Sequence, residues 1–273
     1  PALTPKPSHP SRARTPPPRG GGNSVAPKPA FTLAEVLITL GIIGIVAALT
    51  LPNLIAEHRK KVLENQFKSM YSLIYQALIL TKQDLGSDSL FTDYTEYSPE
   101  LNIYPRAAEF EAAFYKRMKV IGNISVKMND YSIYSDRSIK IYADNKDFTL
   151  NLPDKILSNG AAIGADVGTS IDGRQISFTT DINGKKGPNR FGHDLFVFRV
   201  QDASDKLVGA KKIKDYTEDE LGDLSSGGIN NLMGKPCSKN SKQTANGIGC
   251  AWYAINDVCP DDASKGYWEC LPK

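Results

Sequence analysis

The sequence predicts an α+β protein. One long N-terminal helix packs on an antiparallel β-sheet head, and a disulfide-stapled tail closes the chain. Three observations predict it. Residues 31–55 form an apolar run with a single charge, Glu35. Residues 56–84 then turn amphipathic, with Leu63, Phe67, Met70, Ile74, Ala77 and Leu78 spaced by threes and fours. Beyond them come short alternating apolar segments divided by Gly, Asn and Asp clusters, the pattern of strands and turns.

Charge and composition bound the function. The 273 residues carry 33 Lys and Arg against 30 Asp and Glu, a net of +3, too weak a field for a nucleic-acid binder. The excess is local: residues 1–30 hold 9 of the 17 prolines, five bases and no acid. With its Pro and Gly triplets and few apolar residues, that stretch reads as a disordered basic leader. The other 243 residues carry 28 bases and 30 acids, so the body is slightly acidic. The expected divisions are 1–30 leader, 31–55 membrane or assembly helix, 56–85 its amphipathic continuation, 86–235 head and 236–273 Cys-rich loops.

As a helix, residues 31–55 would reach ~37 Å at 1.5 Å per residue, enough to cross a bilayer core. Apolar residues on every side suit lipid or a helix bundle. Gly86 is the expected stop, with Pro52 inside the helix as a kink. Glu35 is the anomaly in the run. Thr32-Leu33-Ala34-Glu35 fits a capping box, in which the carboxylate reaches back to the helix start. The other reading is a carboxylate that awaits a cation from another chain.

Ala30-Phe31-Thr32-Leu33-Ala34-Glu35-Val36-Leu37-Ile38 resembles the prepilin-type cleavage and methylation signal of type IV pilins and type II secretion pseudopilins. The resemblance covers residues 30–55, and Gly44 and Pro52 fall where such helices commonly carry Gly and Pro. Ala30 stands where the family usually has Gly, and the leader is long. The resemblance implies a pilin-like fold and cleavage between Ala30 and Phe31 by a prepilin peptidase that also N-methylates Phe31. Glu35 would pair with the terminal amine of a neighbouring subunit. The implied partners are that peptidase and methyltransferase, identical or related pilin subunits, and an inner-membrane assembly platform, with no nucleic acid. The implied place is the bacterial inner membrane, single pass with the head exported, then a periplasmic or extracellular filament.

The alternative is a Sec-exported or signal-anchored extracytoplasmic protein with a ligand-binding head, since Val46-Ala47-Ala48 could serve as a signal cleavage site. Glu35 inside the apolar run argues against it.

In the middle of the chain, residues 86–104 read as loop with a turn of helix, and 106–119 as a short amphipathic helix. Strands are expected at Ile124–Met128, Ser138–Tyr142, Phe148–Leu152, Gln175–Asp181, Asp194–Val200 and Leu207–Lys211. Gly160–Gly168 reads as a small, flexible stretch, and Met70 and Tyr71 as core and rim. Asp181-x-Asn183-Gly184 opens like a calcium loop, but the later acidic ligands of an EF-hand are missing. Asp181, Asn183 and Asp194 are therefore weak oxygen-ligand candidates for calcium beside a plain turn; no other cofactor is expected. Some secretion pseudopilins hold calcium in a head loop, to which this segment is similar without matching it.

Cys237, Cys250, Cys259 and Cys270 lack the C-x2-C spacing of a zinc knuckle and read as two disulfides, hence an exported tail. Three pairings are open, with 237–250 and 259–270 favoured. There is no P-loop, HExxH, GxSxG or dinucleotide fingerprint, so no enzyme is expected. His9, His58 and His193 are each expected to face solvent.

Overall fold

The computed structural model describes residues 32–140, 152–170, 173–200, 203–209 and 236–272. Helix α1 covers Leu33–Leu85, ending just before the expected stop at Gly86, with Pro52 inside it. The chain divides into two compact units between Leu51 and Pro52.

In the first unit, the described residues are the start of α1. Leu37, Ile38, Leu40, Ile42, Ile43, Ile45 and Leu49 are all exposed. A window of this helix reaches a mean hydropathy of 2.3 with none of it buried, so it is long and apolar enough to cross a membrane.

In the second unit, α1 is one-sided. Leu63, Phe67, Met70, Ile74, Ala77 and Leu78 are buried, the row that the spacing predicts. Gly86, at φ +59°, ends the helix, with Ser87 N–H donating to Lys82 O at 3.2 Å. Helix α2, Leu90–Tyr94, follows at once. Asp205 caps it, accepting Leu90 N–H at 3.0 Å and Phe91 N–H at 2.9 Å, while Lys82 pairs with the same carboxylate at 2.8 Å. Helix α3, Ala107–Arg117, buries Phe110 and Phe114.

The main sheet has six strands: β1 Val120–Asn123, β4 Lys155–Leu157, β5 Ala162–Ser170, β6 Gly173–Asp181, β7 Leu195–Val200 and β8 Leu207–Gly209. They lie in that order and every pairing is antiparallel. A separate ribbon pairs β2, Ser132–Ile133, with β3, Asp136–Lys140. Helix α4, Ala251–Asn256, lies in the Cys-rich region.

Strand β7 is the centre of the packing. Alternate side chains of a strand face opposite sides. Phe196, Phe198 and Val200 join the core with α1, while Leu195 and Val197 join a second cluster with Tyr131, Ile133, Phe191 and Ile248. Phe67 of α1 meets Phe196 at 4.5 Å and Phe198 at 5.7 Å between ring centroids. Tyr71, on the rim as expected, donates its hydroxyl to Leu207 O at 3.2 Å.

Several expectations are corrected. Gly160–Gly168 is not a flexible stretch: most of it is β5, held between β4 and β6. Its small residues answer close packing, because a Cβ on Gly164 would run into the Leu152 carbonyl. The strand expected at Ile124–Met128 sits four residues earlier, as β1, where its register is set by β4. Met128–Asp130 is a 3-10 turn. Strand β4 and helix α4 were not expected at all. Residues 141–142, 148–151 and 210–211 of the expected strands lie outside the described residues.

Phe67→Ala should lower the unfolding free energy of the second unit by about 3–5 kcal/mol. Chemical denaturation of the full chain in detergent reads this, and an unchanged midpoint would contradict the packing at β7.

Candidate functional site

Two places carry the residues that the sequence singles out, one at the start of α1 and one in the second unit. Ala30 and Phe31 lie outside the described residues. At the helix start the capping box forms as its pattern predicts. Thr32 donates to Glu35 Oε2 through its N–H at 2.7 Å and its hydroxyl at 2.8 Å, and Glu35 N–H donates back to Thr32 Oγ1 at 3.2 Å. Both bonds received by the carboxylate end on Oε2. Oε1 has no hydrogen-bond donor among the described residues, and the whole group is exposed. Gly44 lies within the helix with open space where a Cβ would stand.

In the second unit, the turn between β6 and β7 brings Asp181, Asn183 and Asp194 together. Asp181 ends β6 and Asp194 directly precedes β7; Ile182 N–H donates to Asp194 O at 2.8 Å, which closes the turn. Asp194 is buried, and its two oxygens accept Asn189 N–H and Arg190 N–H, each at 2.7 Å. Asp181 is also buried; it accepts the Tyr131 hydroxyl at 3.2 Å and Asn183 N–H at 3.3 Å. The Asn183 amide donates to Gly187 O at 2.9 Å and reaches the Asp194 carboxylate. Burial pushes the carboxyl of Asp181 well above the usual carboxylate range, and the charge of Asp194 adds to the rise. Burial also raises Asp194, against the pull of its two backbone N–H donors.

The same turn overturns the expectation for His193. It is buried rather than solvent-facing, with Nε2 3.2 Å from Tyr134 O and its ring 5.4 Å from the Tyr134 ring. Desolvation, with the Arg190 charge second, pushes its pKa well below the ordinary imidazole value. Arg190, fully buried, donates to the Ile133 and Tyr134 carbonyls. His58, by contrast, is exposed as expected. His9 lies outside the described residues.

The C-terminal residues cover this turn. Cys237 pairs with Cys250 and Cys259 with Cys270, the favoured pairing. A Cβ on Gly192 would lie 2.7 Å from Tyr134 Cδ2 and 2.8 Å from Cys250 Sγ, so the first disulfide rests directly on the turn. Tyr267 donates its hydroxyl to Gly192 O, and Tyr134 N–H donates to Asn246 O at 2.9 Å.

Sequence reasoning missed Asn189, Arg190 and Tyr131 here. Asn189 alone had a signal, as an Asx residue in a Gly-Pro-Asn turn at an odd position of the loop opened by Asp181. Among the described residues no group of three or more His, Cys, Asp and Glu comes together, so any cation held here would need amide and backbone oxygens too. Comparison with protein-family models, curated proteins and solved structures finds no match.

Replacing both Cys237 and Cys250 by Ser should cost ~2–4 kcal/mol, the usual worth of a disulfide closing a short loop. It should also expose the turn beneath. Denaturation without reductant, paired with hydrogen exchange at Asn189–Asp194, checks both effects.

Proposed function

We propose that the chain is a pilin-like structural subunit, a pilin or pseudopilin of a type IV pilus or type II secretion filament. In this reading it is processed at Phe31, held in the inner membrane by the apolar part of α1, and assembled through that helix. The observation that carries the reading is the exposed apolar helix start with its half-used carboxylate. Among the described residues of the first unit nothing covers Leu37, Ile38, Ile42 or Ile45, and lipid or neighbouring helices would do so. Glu35 caps its own helix with one oxygen and keeps the other for a donor from outside.

Cleavage before Phe31 would create an α-amino group, largely protonated near neutral pH. In an apolar bundle that amine and the Glu35 carboxylate are each costly alone and tolerable as a pair. The pair would favour one axial register between neighbours. The two disulfides support export, since such bonds persist outside the cytosol. The role is structural, and the energy for assembly would come from the machinery that moves the subunit.

Glu35→Leu should leave the chain in the membrane fraction at its normal amount and remove it from sheared or secreted filaments imaged by electron microscopy. Normal incorporation of the variant would contradict the proposal and favour a signal-anchored protein whose head acts alone.

A further inference from the structure

The end of the apolar run carries positive charge that the head does not use. From Val36 to Ile55 the sequence has 20 residues and no charge, about the number that a helix needs to cross a bilayer core. Leu54 and Ile55 are apolar and still exposed. Glu57, His58, Arg59, Lys60 and Lys61 then follow on α1. Successive residues of a helix stand about 100° apart, so His58, Arg59, Lys60 and Lys61 ring the helix. At 1.5 Å per residue the ring lies about 5–9 Å beyond Ile55. That is the depth of the headgroup layer, which adds about 5–7 Å to each side of the core.

Partners within the chain answer only part of this charge. Lys60 turns to the tail, reaching the Glu269 carbonyl at 3.1 Å as well as Glu57 at 3.0 Å. Lys61 and Lys68 share one carboxylate, Glu64, at 2.9 and 2.5 Å. Arg59 is exposed and has no hydrogen bond or ion pair among the described residues. Residues 57–68 hold four bases, Arg59, Lys60, Lys61 and Lys68, against two acids, Glu57 and Glu64. Two positive charges are therefore left over, at one level of the helix.

The chemistry that fits is an anion held at a fixed depth around the helix. An acidic protein would meet α1 from one side. His58, Arg59 and Lys61 face three directions while Lys60 takes the fourth, which suits a surface that surrounds the helix. Phosphate groups of lipid form such a surface. Guanidinium binds phosphate through two parallel hydrogen bonds, and a basic residue just outside the core gains from an anionic leaflet.

We propose that the ring His58–Lys61 docks on the phosphates of anionic phospholipids in the exported leaflet, with Arg59 and Lys61 as the contacts. The contact fixes the depth of α1 in the bilayer. The inference rests on the membrane insertion of α1 in the reading above and is independent of filament assembly.

The test places the full chain in vesicles of phosphatidylcholine mixed equally with phosphatidylglycerol. Flotation at alkaline pH shows insertion, and native mass spectrometry of the released chain then identifies the lipids that stay bound. Wild type should retain phosphatidylglycerol over phosphatidylcholine, less so as salt rises. Arg59→Gln combined with Lys61→Gln should float and melt as wild type does, because Arg59 has no partner to lose and Glu64 keeps Lys68. It should lose about fivefold of the lipid preference for each charge removed. Arg14→Gln combined with Arg19→Gln, in the leader, should keep the preference. No preference in wild type, its full survival in the ring variant, or its loss in the leader variant would overturn the proposal. So would cross-linking of two copies through the ring in phosphatidylcholine alone, since the occupant would then be a second chain. Failure of wild type to float would overturn the membrane reading and this proposal with it.

Discussion

A helix with one apolar stripe is stable only against a surface that matches the stripe. For the second half of α1 that surface is strand β7. Phe67 lies against Phe196 and Phe198, with Trp268 of the C-terminal region 5.5 Å from the same ring. Removing this contact would leave both α1 and the even face of β7 exposed. Because β7 is buried on both sides, it also positions everything behind it. Leu195 and Val197 face the smaller cluster with Tyr131, Phe191 and Ile248, and so tie the sheet to the ribbon and the tail. Loss of order at β7 would reach both clusters together.

The second constraint is the polar turn that leads into β7. Burying Asp181, Arg190, His193 and Asp194 is costly unless each finds partners. Most of those partners are backbone groups of the turn itself or of Ile133 and Tyr134, with the Tyr131 hydroxyl on Asp181. The tail is short of regular structure, and its two disulfides take over the role that packing has elsewhere. The head is thus closed by the last residues in sequence lying over a turn made some fifty residues earlier.

How much of this was legible depends on whether a feature is local. The α1 row repeats through many residues, so its period and its Gly86 stop were plain. Strands β6 and β7 carry dense apolar sequence and read correctly to within two residues. Strand β5 did not, because Gly164 and the alanines reflect close approach of the Leu152 carbonyl, which no local pattern reports. Strand β4 has three residues, too few for an alternation. The Thr32–Glu35 cap was legible from spacing, whereas the cysteines left three pairings open, of which the favoured one is observed. His193 was misread: among Gly, Asn and Lys it resembles a surface residue, and only the distant Tyr134 and C-terminal cover bury it.

In the proposed function the mature chain begins at Phe31 and assembles through α1. The most direct measurement is intact-mass and N-terminal peptide mass spectrometry of the protein extracted from its native envelope. The expected chain begins at N-methylated Phe31, with a mass lower by four hydrogens for two disulfides. A chain that keeps its leader, or one that begins at Leu49, would contradict it.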